Sequence, residues 1–257
     1  MTVVAIVAGA ALLGGCAQGR DSDAAVPGAT VSTAAPSEDA AVPVALTAAD
    51  FMDRVVATQT RHHTVRVAIT SDAGLDLSAQ TTLGELGPFR MSATGTFDGR
   101  KMDLRVDGDT LYATSPDFDG MWLKGDLSDP ADTLGAGVGD ALHVDPTRQL
   151  EDLRGAVTDV VHVGPEAIEG EPVEHYVVTV DPAKVTGDTA ASLAPLQDIT
   201  EIDYDYWIDG RDRARRVSFE LVGHTTRVDL TGWDEQLVLE LPAPEMVASP
   251  EDLGLAG

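Results

Sequence analysis

The chain has 257 residues, a single cysteine, 17 Lys and Arg against 43 Asp and Glu, and a formal net charge of −26. Such acidity repels nucleic acid and anionic lipid surfaces, and no basic stripe interrupts it, so neither is a partner through surface charge. One cysteine excludes an internal disulfide, and the length suffices for a hydrophobic core without one.

Residues 3–13 form an unbroken run of apolar and small side chains. As a helix the run would rise only roughly 16 Å against a ~30 Å hydrocarbon layer, so it reads as the apolar region of a signal peptide, residues 1–15, and not as a membrane span. Leu13-Gly14-Gly15-Cys16 follows directly. It resembles the lipobox of bacterial prolipoproteins, where small residues let the peptidase close on the backbone and the cysteine thiolate takes up the diacylglyceryl group. Cys16 is therefore the expected lipidation site. The expected location is the extracytoplasmic face of the cell membrane, with the lipid as the membrane contact. Residues 1–15 lack the Lys or Arg that normally opens a signal peptide, and a start upstream of Met1 is the expected reason. The chain has no Asn and many more Arg than Lys, a bias that suits a GC-rich, actinobacterial genome.

Residues 17–46 are Ala, Pro, Ser, Thr, Gly and acidic residues without periodicity, a composition that buries too little apolar surface to fold. A flexible tether is expected there, reaching roughly 30 Å. Residues 242–257 read as a disordered tail, which leaves one folded domain over 47–241.

That domain opens with a helix. Thr47 is placed to N-cap it, Asp50 lies in the first turn, Leu46 and Phe51 occupy the staple positions, and Phe51, Met52, Val55 and Val56 make one apolar stripe. Strands follow, with Val65, Val67 and Ile69 alternating with polar or small neighbours, as do Leu75 and Leu77, then Met102, Leu104 and Val106. Asp98-Gly99, Asp107-Gly108 and Asp119-Gly120 mark turns. Asp145-Pro146 starts a second helix with Leu150 and Leu153 on its buried side, and Gly155 ends it. Strands are expected at 157–163 and 173–180, a weaker third helix between Asp181-Pro182 and Leu196, and strands at 202–208, 214–222 and 225–230, with Asp209-Gly210 in a hairpin turn. Residues 237–241 suggest an edge strand. The fold class is α+β, about ten antiparallel strands with two or three helices. So wide a sheet should curl, with the helices against its concave, apolar side.

No nucleophile elbow, zinc-protease motif, phosphate loop or dinucleotide fingerprint occurs. His62 and His63 are adjacent on a strand and point to opposite faces, which makes them poor joint ligands. His143, His162, His175 and His224 are scattered. Asp203, Asp205 and Asp209 fail the calcium-loop spacing, since Trp207 falls at position three and Arg216 where the bidentate Glu should be. They read as solvent-facing acids on a strand ending in a hairpin turn. No enzyme activity, cofactor or metal is expected. What remains is the apolar face, and pattern alone fits an ordinary core filled by helices better than a ligand cavity.

The stretch Val163-Gly164-Pro165-Glu166-Ala167-Ile168-Glu169-Gly170, leading to His175-Tyr176-Val177-Val178-Thr179-Val180-Asp181, resembles the LppX/LprA/LprF/LprG family of actinobacterial lipoproteins. So do Trp122-Leu123-Lys124, Asp145-Pro146 with its leucine-bearing helix, Tyr206-Trp207-Ile208-Asp209 and Arg215-Arg216-Val217, in family order. The resemblance implies a half-barrel of the LolA/LolB superfamily and a cavity for acyl chains of lipid or glycolipid between sheet and helices. Cys16 alone matches a family functional position. Candidate cavity walls are Phe51, Val55, Val65, Val67, Ile69, Tyr176, Val178 and Phe219. The resulting expectation is an envelope lipoprotein that binds a hydrophobic or lipid ligand, with its transport through an envelope partner as the further expectation. The alternative is a lipid-tethered interaction or sensor module with a packed core and no cargo.

Overall fold

The computed structural model describes residues 45–83, 87–129, 151–193 and 199–248. Cys16, residues 17–44 of the expected tether, Pro146 and Leu150 lie outside them, whereas Leu46, expected at the tether's end, is buried against the sheet. The described chain begins at helix α1 (Ala48–Gln59), where the Thr47 hydroxyl accepts from the Asp50 amide at 3.3 Å and donates to its carboxylate at 2.6 Å. Leu46 and Phe51 are both buried, so the staple closes as the spacing requires.

Twelve strands form a single open sheet. They are β1 (Thr64–Ser71), β2 (Leu75–Thr82), β3 (Arg90–Phe97), β4 (Arg100–Asp107), β5 (Thr110–Thr114), β6 (Trp122–Asp126), β7 (Val157–Ile168), β8 (Glu171–Val180), β9 (Ile202–Asp209), β10 (Ala214–Leu221), β11 (His224–Thr231) and β12 (Val247–Ala248). The spatial order is β12-β6-β5-β4-β3-β2-β1-β11-β10-β9-β8-β7. Every pairing is antiparallel except the short parallel contact of β12 with β6. Two meanders, β1 to β6 and β7 to β11, meet where β1 pairs with β11.

The strand count exceeds the expected ten because β3, β5, β6 and β12 carry weak signals. In β3 the residues facing the core are Met91 and Ala93, followed by Gly95, so the apolar alternation fades along the strand. Residues 237–241 are not an edge strand. They follow β11, which lies in the middle of the sheet with β1 and β10 on either side, and they pass over β2, also mid-sheet. The segment instead crosses the outer face of the sheet as a strap. The Gln80 side-chain amide donates to the Gln236 carbonyl at 3.0 Å, and its carbonyl accepts from the Val238 amide at 3.4 Å. Seven strand spacings separate β11 from β12, roughly 34 Å, which fifteen extended residues cover easily. The folded unit thus runs past 241 to β12, where a disordered tail was expected.

The third expected helix is split. Asp181 caps a single turn (Pro182–Lys184) by accepting from the Ala183 amide at 3.0 Å, and Gly187 at φ 61° begins a separate short helix (Gly187–Leu193). Of the second, only 151–154 are described, and these are helical with Leu153 buried.

Asp98-Gly99 joins β3 to β4 with both residues at positive φ, 48° and 73°, the geometry two-residue hairpins favour. Val222-Gly223 does the same between β10 and β11, and there φ 53° falls on a β-branched residue that is 55% exposed. Val in that region is strained by about 1–2 kcal/mol. Val222→Asn should therefore raise unfolding free energy by about 1 kcal/mol in urea titrations. A loss of stability would show that Val222 makes a contact worth more than its strain.

Candidate functional site

Cross-strand register sorts the helix-side face into rows. Leu230, Val67, Ala79, Ala93, Leu104, Ala113 and Leu123 are paired in sequence across seven strands, and all are buried. One register step toward the hairpin tips, the row Tyr206, Val217, Val228, Ile69, Leu77, Gly95 and Met102 changes character. Tyr206 is buried, but Val217, Val228, Ile69, Leu77 and Met102 are only half-buried. Phe219, diagonal to Val228, is half-buried as well. The structure therefore leaves a contiguous apolar strip across β10, β11, β1, β2 and β4 incompletely covered. Gly95 adds no side chain to this floor. A Cβ there would meet the Asp76 carbonyl oxygen at 2.2 Å, so the close approach of β2 and β3 requires glycine.

Beside the strip lies a packed aromatic core. The Phe51 ring sits 5.0 Å from that of Tyr176 and 5.5 Å from that of Tyr206, which fixes α1 on β8 and β9. The Tyr176 hydroxyl accepts from the Leu46 amide at 2.6 Å, tying the entry of the helix to the sheet. Tyr204 is 5.1 Å from Phe219, at the boundary between core and strip. Tyr204 and Tyr206 are both buried, with their rings 6.3 Å apart. Burial pushes the Tyr204 phenol up to about 12 and that of Tyr206 higher still, so both are neutral hydroxyls in apolar surroundings.

The eight candidate walls fall into one hydrophobic cluster. Phe51, Val55, Val65, Val67, Tyr176 and Val178 lie in its dry interior. Ile69 and Phe219 lie on the half-buried strip. Leu77, Met102, Val217 and Val228 were not singled out as walls. The signal that finds them is hairpin register: the Asp98-Gly99 turn alone sets Met102 opposite Gly95.

Four of the described histidines, His62, His162, His175 and His224, contact carboxylates at separate places on the sheet. His62 meets Asp234 at 2.6 Å, His162 meets Glu174 at 2.5 Å, and His224 meets Asp72 at 3.0 Å. His175 contacts Glu166 at 2.9 Å and Asp205 at 2.8 Å and stacks on Trp207 with ring centroids 4.4 Å apart. Among the described residues no three His, Cys, Asp or Glu are placed to share a metal. Asp209 is not the solvent-facing acid expected. It is buried and accepts from the Arg211 and Arg213 amides at 2.9 and 3.1 Å and from the Arg213 guanidinium at 2.7 Å. The hairpin closes around its carboxylate. No described helix is long and apolar enough to cross a membrane.

An open antiparallel sheet with few helices and an apolar strip on its helix side defines the architectural class. Solved structures place it more closely. LprF from Mycobacterium bovis matches 76% of this chain and 96% of its own length at 16% identity, with a TM-score of 0.56. The lipoprotein LppX from Mycobacterium tuberculosis matches 74% and 96% at 17% identity, with a TM-score of 0.50. The chain has the fold of these two proteins, in agreement with the sequence resemblance. No protein-family model matches the sequence. No curated protein matches it either.

Proposed function

We propose that this is a lipid-anchored protein of the extracytoplasmic face of the cell membrane that binds, and carries, an acylated lipid. Cys16 holds the anchor, the residues between it and Leu46 are the tether, and the sheet curls into a half-barrel around the helices on its concave side. The observation that carries the reading is the half-buried strip of Ile69, Leu77, Met102, Val217, Phe219 and Val228. Contiguous apolar surface left uncovered in a folded domain marks a binding surface more often than a packing fault. Each methylene buried there contributes about 0.8 kcal/mol, so a single acyl chain suffices for useful affinity. Ile69 and Phe219 are walls of the site, while Phe51, Val55, Val65, Val67, Tyr176 and Val178 form the packed end against which the chain stops.

Ile69→Trp and Val228→Trp, made separately, fill the strip at positions packed against the core and not within it. Each should lower uptake of a fluorescent fatty acid roughly tenfold or more, the effect of about two lost methylenes, while the far-ultraviolet circular dichroism stays unchanged. Val163→Trp, at an exposed position on the edge strand, should leave uptake unaltered. Equal uptake by all three variants would contradict the placement of the site. No uptake by any of them or by the parent would favour a tethered interaction module with a filled interior.

A further inference from the structure

The open edge of the sheet at β7 is a second surface, separate from the apolar strip. β7 ends the strand order, with β8 on one side and, among the described residues, no strand on the other. Such an edge presents unpaired main-chain groups, which native proteins guard with charge, proline or a bulge. Here the guards stand at the two ends of a short stretch. The register with β8 shifts between Val157 and Asp159 and again between His162 and Gly164, and Pro165 follows. Between the shifts the register is unbroken, from Asp159 opposite Thr179 to His162 opposite Tyr176.

Strand alternation fixes which way this stretch presents its groups. Val160 packs against the core, so Val161 stands on the other face, beside Val177 and in line with Asp205. Val161 and Val163 are 50% and 55% exposed, large apolar side chains left in solvent at the edge itself. The Val160 amide donates to the carboxylate of its neighbour Asp159 at 2.9 Å. Asp159 is exposed, so the amide it binds faces the open edge, and the main chain of His162, two residues on, faces the same way.

The charge around the edge is one-sided. β7, β8 and β9 contain no Lys or Arg. Arginines pair with Glu171 and Asp209 of these strands. Glu166, Glu174 and Asp205 contact histidines, Asp203 accepts from Thr179, and Asp159 accepts from the Val160 amide. Arg216 of β10 lies 5.8 Å from the centre of the Trp207 ring, but it is paired with Asp229 at 2.6 Å. A second copy of this chain, at a net charge of −26, would set the same acids against one another. An extended segment bearing Lys or Arg meets no such repulsion.

We propose that the β7 edge takes up a short basic segment of a partner protein as an added strand. The segment pairs with the main chain of Val160 and His162, with a basic residue opposite Asp159 and apolar residues opposite Val161 and Val163. The register shifts limit the added strand to about five residues and keep the edge from open-ended assembly.

The test is fluorescence anisotropy of a labelled peptide of valine and threonine with a lysine at each end, titrated with the full chain at low ionic strength. Saturable binding is expected, weakened by added salt and roughly tenfold or more weaker when glutamates replace the lysines. An added strand turns only every second N–H toward β7, so methylating one alternate set of peptide amides should abolish binding and methylating the other should not. Val161→Lys should lower the affinity roughly tenfold, with circular dichroism and fatty-acid uptake unchanged. In a proton–nitrogen correlation spectrum the Val160 and His162 amide signals should shift as the peptide saturates. Absence of saturable binding, equal binding of the basic and acidic peptides, or shifts confined to residues away from β7 would overturn the proposal. So would a dimer in sedimentation that Val161→Lys disperses, since the edge would then belong to a second copy.

Discussion

Phe51→Ala should destabilise the domain by about 3–5 kcal/mol, the cost of emptying a buried aromatic site. Phe51 has no exposed surface and is the residue through which α1 grips the sheet, between Tyr176 on β8 and Tyr206 on β9. Tilted and edge-on ring pairs of this kind add about 0.5–1.5 kcal/mol beyond area burial. Domains of this size are stable by only about 5–15 kcal/mol in all, so the variant should unfold at much lower denaturant or fail to accumulate. Guanidinium titration followed by tryptophan fluorescence measures it. A loss under 1 kcal/mol would mean that the helix is not seated on the sheet through this ring. The same substitution at Val163, half-exposed on the edge strand, should fall within about 0.5 kcal/mol of the parent.

Cys16→Ala should move the protein from the membrane fraction to the medium or arrest it unprocessed. The effect is close to all-or-none because two or more acyl chains hold a protein firmly at a bilayer, whereas an acidic surface offers no electrostatic substitute. Fractionation followed by mass measurement of the N-terminal peptide reads both outcomes. A variant that stays with the membrane after cleavage of residues 1–15 would contradict the lipid anchor.

What was legible in the sequence was what is decided locally. The Thr47 cap, the Leu46–Phe51 staple and the Phe51–Val55 stripe lie within a few residues of one another, and they specify α1 without reference to the sheet. The strands carrying Val65 to Ile69, Tyr176 to Val180 and Tyr204 to Ile208 announce themselves by period-two alternation. β3 does not, because Ala93 and Gly95 face inward for reasons of close packing and leave little hydrophobic signal. The strap over 237–241 alternates like a strand, yet its placement depends on β11 lying mid-sheet, a fact of topology beyond any local pattern. The strip is similar. Ile69 and Phe219 were readable as apolar and inward-facing, but their half-burial depends on how far the helices reach over the sheet.

The carrier reading itself is tested most directly by mass spectrometry of organic extracts from the full chain purified from its native host. The expected result is an acylated lipid recovered in stoichiometric amount from the parent and at a small fraction of that amount from Val228→Trp. Extracts repeatedly free of lipid, with the protein folded and Ile69, Val217 and Val228 found covered by its own chain, would contradict it.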